Sequence, residues 1–206
     1  MQYHAGTFRY SLADPVLRAM FAARKAVFVD RLKWNVPVLA DRYEIDQFDN
    51  EDATYLLLSG SAGNHRASTR LLRTEGPHIL ADLFPVLCDE TPPVHPDVRE
   101  ITRFCIDPSL KRAEHRQARN QLVSILVDYA LATGIAGYTA VANLAWFRQI
   151  SRFGWRCHAL GPCCHIGGEN LVAMMIDIDR DTPQSLSSKG IYCEVPFDMT
   201  KMEQAA

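Results

Sequence analysis

Apolar residues recur at helical spacing between Asp14 and Leu32, where Val16, Leu17, Met20, Phe21, Val27 and Phe28 fall on one side of a 3.6-residue repeat. Asp14 offers a carboxylate to the first free N–H groups, and Pro15 sits where a missing N–H does no harm, so the pair predicts the helix start. From Asn35 to Asp52 the periodicity gives way to a polar, acid-rich stretch read as an ordered loop. Strand-like runs at Ala53–Leu58 and Arg66–Thr74 flank Ser59-Gly60-Ser61-Ala62-Gly63-Asn64, whose small turn formers predict an antiparallel hairpin. A proline-rich connection, Pro85–Pro96, precedes a strand at Val98–Ile106 that stops at Asp107-Pro108 and opens into a basic loop. A second helix is expected over Arg116–Thr133, with Leu122, Ile125, Leu126, Tyr129 and Ala130 as its apolar face and Gly134 as its stop. Tyr138–Val141 reads as a short strand, Leu144–Phe153 as a third helix ending at Gly154, and Leu171–Ile178 as a last strand before a polar tail over 181–206. No internal repeat is visible. The interleaving predicts one α+β domain over 1–206, a three-layer α/β/α arrangement around a mixed, mostly antiparallel sheet.

Composition narrows the class. The chain has 206 residues, 48% of them hydrophobic and 22% charged, which is globular composition for a single domain of ordinary size. No stretch has the apolar length of a bilayer span, and the first residues lack the basic-then-apolar order of a secretory signal, so a cytoplasmic protein without membrane association is expected. A net charge of −2 argues against nucleic acid as partner. Cysteines 88, 105, 157, 163, 164 and 193 form no C-x-x-C pair and match no zinc spacing, so free thiols and no metal are expected.

Three constellations carry candidate chemistry. Arg24 and Phe28 lie four apart on one helical face with Trp34 just beyond, a grouping suited to a ligand with a flat base or a cationic sulfur, since ring faces attract both. Glu44-Ile45-Asp46-Gln47-Phe48-Asp49 sets three carboxylates beside two apolar anchors, and such acids could hold an amine. Arg70-Leu71-Leu72-Arg73-Thr74 and Arg99-Glu100-Ile101-Thr102-Arg103-Phe104 place charges inside otherwise apolar strands, where they need partners. A cluster of Arg70, Glu100 and Arg103 with Asp46 and Asp49 is expected. In a regular strand Glu100 and Thr102 share a face and Arg103 takes the other, unless a bulge re-aims the chain. Taken singly, each group has a plainer reading as core aromatics, a solvated acidic loop or surface charge.

In this order the groups resemble the acyl-homoserine-lactone synthase (autoinducer synthase) family, whose signature reads R-x-x-x-F, a tryptophan, D-x-x-D, R-L-L and E-x-[ST]-R. The matching positions are Arg24 with Phe28, Trp34, Asp46 with Asp49, Arg70-Leu71-Leu72, and Glu100 with Thr102-Arg103, supported by Phe84-Pro85 and Gly154-Trp155. The resemblance spans roughly residues 1–180. Arg73 stands where the family usually has proline, and the gap from Trp34 to Asp46 is a residue longer than the pattern.

The resemblance implies an acetyltransferase-like fold and an enzyme that joins the α-amine of S-adenosylmethionine to an acyl group delivered as a thioester, on acyl carrier protein or coenzyme A. Methylthioadenosine leaves as the lactone closes, and neither cofactor nor metal is needed. Glu100 is then the general base for the amine, with Thr102 and Arg103 beside it. Arg24, Phe28, Trp34, Asp46, Asp49, Arg70 and Phe84 would bind S-adenosylmethionine. The acyl chain is assigned to Leu122, Ile125, Leu126, Val141, Ala142, Leu144, Trp146 and Phe147, between the sheet and the second and third helices. Members preferring a 3-oxo chain tend to carry a threonine on the short strand; Ala142 matches that place, which leans against a 3-oxo product. Arg148, Arg152 and Arg156, extended by Lys111, Arg112 and Arg116, make a basic face suited to an acidic carrier protein.

Two other classes share the fold. An acetyl-CoA-dependent N-acetyltransferase needs a glycine-rich turn for pyrophosphate, whereas Lys111–Arg119 contains no glycine. A catalytically silent ligand-binding module would have no call for both Glu100 and Arg103.

Overall fold

The computed structural model describes residues 4–60, 63–195 and 197–198. Ser61 and Ala62 of the hairpin turn, the first three residues, Pro196 and the tail from 199 onward lie outside the described residues. The chain forms two compact units, one from residues 1–70, 103–125 and 194–206, the other from 71–102 and 126–193.

In the first unit, strand β1 (His4–Arg9) runs antiparallel to β4 (Thr54–Ser59), with Ala5 opposite Leu58, and parallel to β11 (Phe197–Asp198). Helix α1 (Pro15–Arg24) starts as the pattern predicts: Asp14 Oδ1 accepts the Val16 N–H at 2.7 Å and proline takes the first position. It buries Leu17, Met20, Phe21 and Arg24, a stripe with spacings of three and four. Phe21 meets Tyr10 and Tyr55 edge to face, at 6.0 and 5.9 Å between centroids. The expected continuation to Leu32 is helical but of another kind. Lys25–Arg31 is a π-helix, and the Leu32 N–H reaches back five residues to the Val27 carbonyl at 2.9 Å.

The expected loop 35–52 contains a small hairpin of its own, β2 (Val38–Leu39) paired with β3 (Tyr43–Glu44). Its turn is closed by Arg42 N–H to the Leu39 carbonyl at 3.0 Å, and Ala40 and Asp41 both have positive φ, 51° and 53°. That conformation is usually signalled by Asn-Gly or Asp-Gly, so nothing in Ala-Asp announced it.

Strand β5 (His65–Arg73) follows the predicted hairpin turn, across which Gly60 N–H bonds the Asn64 carbonyl at 2.9 Å. Strand β6 (Val98–Ile106) has the expected bounds. In the first unit the sheet order is β11-β1-β4-β5-β6.

In the second unit the order runs from β5 and β6 to β7 (Gly137–Asn143), β10 (Glu169–Asp177) and β8 (Arg156–Ala159), with β9 (Cys164–Ile166) also on β10. β6 and β7 are parallel, with Glu100 opposite Thr139; β7, β8 and β9 are each antiparallel to β10. Alternation sends Tyr138 to one face of β7, where its hydroxyl donates to the Leu126 carbonyl at 2.9 Å, and Thr139 and Val141 to the other.

Helix α3 spans Arg112–Thr133, so the residues read as a basic loop are its first turn. Lys111 and Glu114 cap that turn, the Lys111 N–H reaching Glu114 Oε2 at 3.2 Å and the His115 N–H the Lys111 carbonyl at 2.8 Å. Gly134, at φ 75°, ends it. Helix α4 (Leu144–Ile150) is shorter than expected, capped by the Asn143 side chain. Gly154, at φ 112°, leaves no room for a side chain, since a Cβ there would stand 2.5 Å from the Ser185 carbonyl oxygen. Helix α2 (Ile79–Leu83), the 3₁₀ turn Pro85–Leu87, strands β8 and β9, and α5 (Thr182–Ser188) inside the supposed polar tail were not expected. Each is a short element without a full period of apolar residues. No helix among the described residues is long and apolar enough to cross a membrane.

Candidate functional site

The first unit holds a buried network of three arginines and three acids. Arg24, from the last turn of α1, donates from Nε to Glu44 Oε2 at 2.5 Å and from Nη1 and Nη2 to both oxygens of Asp49 at 2.8 Å. Arg70, from β5, grips Asp46 through Nη1 and Nη2 at 2.6 and 3.1 Å and approaches Asp49 at 2.8 Å. Arg103, from β6, reaches Glu44 Oε1 at 3.0 Å and Asp46 Oδ2 at 2.7 Å. Tyr55 donates its hydroxyl to Asp49 Oδ1 at 2.8 Å. Arg24 and Arg70 are 1% and 0% exposed, so the charges survive burial only because each guanidinium faces carboxylates with matching geometry.

The D-x-x-D spacing has a local cause. Asp49 Oδ2 accepts the Asp46 N–H at 2.9 Å and Asp46 Oδ1 accepts the Phe48 N–H at 2.9 Å, so the two acids close a turn and aim at the arginines together. Phe48, buried below, lies under the Arg70 guanidinium, 5.8 Å from its ring centroid.

Burial alone opposes charge at Arg24, Arg70 and Asp49, and the pairing overrides it. Against the desolvation of Arg24, Asp49 and then Glu44 raise its pKa above the ordinary arginine value; Arg70 is raised likewise, chiefly by Asp49 and Asp46. Asp49, which burial would push up, is held well below the usual carboxylate range by Arg24 and Arg70. Burial and the Asp49 charge raise the Tyr55 phenol.

Phe28 and Trp34 are brought together, but against each other: their rings stack at 4.8 Å and 20°. The Arg103 guanidinium lies over both, 5.6 and 5.8 Å from the centroids. The expected open aromatic walls are therefore covered by an arginine here. Arg103 has φ 52°, rare for a residue with a side chain and a departure from regular strand geometry at that position.

Glu100 differs from the expected cluster. In the second unit, fully buried, its carboxylate accepts the N–H groups of Ile79 and Leu80 at 2.7 and 2.8 Å. The acid that joins Arg24 and Arg103 is Glu44, which the sequence set among three carboxylates suited to an amine and not in the arginine cluster. Its missed signal was position: it ends β3, in a hairpin that the chain did not announce. Thr102 is buried on the same strand as Glu100. Phe84 belongs to the second unit and packs against Leu80, Leu87 and Ala173.

The residues assigned to the acyl chain do not line one wall. Val141 packs with the Leu80, Leu87 and Ala173 cluster on one face of β7, whereas Ala142 shares the face of Tyr138, which bonds to Leu126. Leu122, Ile125 and Leu126 are fully buried on α3, and Leu144, Trp146 and Phe147 are half-buried. Trp146 meets Phe153 edge to face at 6.2 Å. An open pocket of about 360 Å³ lies beside α4, lined by Asn143, Leu144, Ala145, Arg148, Glu169 and Asn170. Of the basic residues, Arg148, Arg152, Lys111 and Arg112 are exposed. Arg156 is exposed too but ion-paired to Asp179 at 2.9 Å. Among the described residues, no three metal-ligating side chains gather.

Residues 9–186 match the family model described as autoinducer synthase. The acyl-homoserine-lactone synthase of Ralstonia nicotianae is 33% identical over 184 residues, covering 87% of this chain and 90% of that protein. Among solved structures, TofI in a ternary complex with an inhibitor and MTA aligns with TM-score 0.74 at 28% identity, over 91% of this chain and 97% of that one. The CoA-dependent acyl-homoserine lactone synthase MesI aligns with TM-score 0.80 at 26% identity, over 93% and 98%. A putative N-acetyltransferase from Lactobacillus plantarum shares the fold at TM-score 0.59 and 19% identity, covering 87% of this chain and 100% of that one. The signature residues, the acetyltransferase-like fold and these likenesses agree, and the chain belongs to the autoinducer synthase family.

Proposed function

We propose that the chain makes an acyl-homoserine lactone, a quorum-sensing signal, by acylating the amine of S-adenosylmethionine with an acyl thioester and releasing methylthioadenosine. The observation that carries this reading is the buried network of Arg24, Arg70 and Arg103 with Glu44, Asp46 and Asp49, assembled from the signature positions of the family. TofI, solved with MTA, supports S-adenosylmethionine as the first substrate. Three cations meet three anions, so the network is a neutral, preorganised wall that shapes the S-adenosylmethionine site with Phe28 and Trp34. Phe84 completes the set assigned to this substrate.

Glu100 takes the proton of the attacking amine, directly or through one water. The N–H groups of Ile79 and Leu80 donate one to each oxygen and hold the carboxylate in a fixed orientation. The amine lone pair attacks the thioester carbonyl, the thiol leaves, and a carboxylate oxygen of the acylated S-adenosylmethionine then displaces methylthioadenosine from its own γ-carbon as the lactone ring closes. Thr102 assists at the developing oxyanion.

The acyl donor is a thioester of acyl carrier protein or coenzyme A. MesI, which is CoA-dependent, favours the second, and the exposed Arg148 and Arg152 suit the first. The acyl chain runs on the Tyr138, Ala140 and Ala142 face of β7 towards Leu126. Ala142 cannot donate a hydrogen bond from its side chain and Thr139 faces away from it, so a 3-oxo group there would lose about 1–3 kcal/mol and is not preferred. The deciding experiment is an assay of methylthioadenosine release with mass spectrometry of the lactone. Acylation without methylthioadenosine would point to an ordinary acetyltransferase, and a dominant 3-oxo lactone would reverse the chain assignment.

A further inference from the structure

A pair of thiols stands outside every residue used above. Cys164 begins β9 and lies opposite Leu171 in the ladder with β10, so it shares the face of Leu171 and Ala173. Cys88 follows the 3₁₀ turn Pro85–Leu87 and packs against the same Leu80, Leu87 and Ala173 cluster from above. The two segments touch along their backbones. The Asp89 N–H donates to the Leu160 carbonyl at 2.9 Å, and Cys164 Sγ lies 3.9 Å from the Val86 carbonyl oxygen. A Cβ on Gly161 would stand 2.6 Å from the Leu87 carbonyl oxygen and 3.1 Å from the Cys88 carbonyl carbon. Glycine at 161 is what permits this approach. Both thiols are free and half-buried, and the contact between the segments holds them on one patch.

We propose that Cys88 and Cys164 form a peroxide-sensitive disulfide that latches the segment after α2 to β9. Hydrogen peroxide or an organic hydroperoxide oxidises the Cys164 thiol to a sulfenic acid, with one molecule of water or alcohol released. The Cys88 sulfur then attacks the Cys164 sulfur; the S–O bond breaks, a second molecule of water leaves, and the Cys88 proton goes with it. The oxidant gains the two electrons that the two thiols lose. Burial and Asp89 raise the Cys88 thiol above its ordinary value, which favours Cys164 as the first to be oxidised and Cys88 as the resolving partner. The bond would tie Cys88 to the sheet at the far end of the segment whose beginning, Ile79 and Leu80, holds Glu100.

The test uses the full chain, reduced, freed of reductant and treated with equimolar hydrogen peroxide, then digested without reduction and analysed by mass spectrometry. The expected product is a peptide pair joined through Cys88 and Cys164 that dithiothreitol separates. Cys88→Ser is expected to lose the link and to raise dimedone trapping of a Cys164 sulfenic acid at least several-fold over the wild type; Cys164→Ser is expected to lose the link as well. Absence of the linked pair in the wild type, a bridge running from exposed Cys163 instead, or equal dimedone trapping in wild type and Cys88→Ser would each overturn the proposal. None of these readouts depends on turnover, so the proposal stands or falls apart from the synthase assignment.

Discussion

Glu100 is the residue proposed as the general base, and its surroundings sharpen what a substitution does. Its two oxygens each receive a backbone N–H. Glutamine offers one acceptor oxygen and sets an N–H₂ against the other amide, so a buried donor goes unsatisfied at a cost of about 1–3 kcal/mol. Glu100→Gln is therefore expected to lower the thermal midpoint and also to cut turnover by about 10²- to 10⁴-fold, the usual worth of a general base. Methylthioadenosine release by the folded variant is the measurement, and turnover near that of the wild type would remove Glu100 from the reaction. Arg103 shows the other side of residue-level reading. Regular alternation set it apart from Glu100 and Thr102, and it does part from Glu100, pairing with Glu44 and Asp46 from a residue whose φ of 52° departs from strand geometry.

Among the elements, the β2–β3 hairpin carries strain that a single change relieves. Ala40, at φ 51°, holds a conformation in which its Cβ crowds the following carbonyl, a penalty of about 1–2 kcal/mol that glycine escapes. Glycine loses part of that advantage to the entropy of the unfolded chain. Ala40→Gly is expected to stabilise the protein by about 0.5–1 kcal/mol in urea unfolding, and a destabilised variant would contradict the turn geometry. Strand β5 supplies a pH dependence. His65 is buried with Nε2 2.8 Å from Ser68 Oγ, and burial, only partly offset by Asp107, brings its pKa down to about 4. A histidine depressed when folded binds its proton more readily unfolded. Its contribution is thus complete above about pH 6.5 and is lost as the pH falls from there towards 4, by about 3 kcal/mol in all. Thermal midpoints measured from pH 7 to 4.5 are expected to fall, and His65→Gln to flatten the slope. Elements of this kind also mark where the sequence stopped being readable. Helix α1, β5, β6 and β10 have enough consecutive apolar positions to declare their period. The hairpin at Ala40, the five-residue α2 and the three-residue β9 do not, because their conformation is imposed by packing and hydrogen bonds from residues distant in sequence. Asp46, Asp49, Arg70 and Arg103 were legible as one cluster, whereas Arg24 was read with Phe28 and Trp34, Glu100 was set in the cluster although it bonds Ile79 and Leu80, and Glu44 was read as an acid for an amine and not as a partner of the arginines.

For the molecule as a whole the formal charge is −2, so an acidic partner gains nothing from the average field and must be met by a local one. On α4, Arg148 and Arg152 are exposed, four residues apart across the end of the helix, and Arg148 also lines the open pocket beside Asn143 and Asn170. Arg156, part of the expected docking set, spends its charge on Asp177 and Asp179, which leaves the field at this surface to the two helix-end arginines. Reversing both to glutamate turns attraction for an acidic acyl carrier protein into repulsion. Charges at the rim of an interface act mainly on encounter, and screening shortens their reach to about 10 Å at 0.1 M salt. The double variant Arg148→Glu, Arg152→Glu is accordingly expected to raise the apparent KM for carrier-bound substrate about tenfold or more at low ionic strength. The ratio to wild type should shrink as salt is added, while the KM for S-adenosylmethionine and that for an acyl-CoA donor stay near wild type. Steady-state kinetics with both donors across a salt series reads all of these at once. An unchanged KM for the carrier-bound donor would place the docking surface elsewhere, and an equal rise for the acyl-CoA would show that the two arginines act on the acyl thioester itself rather than on the protein that carries it.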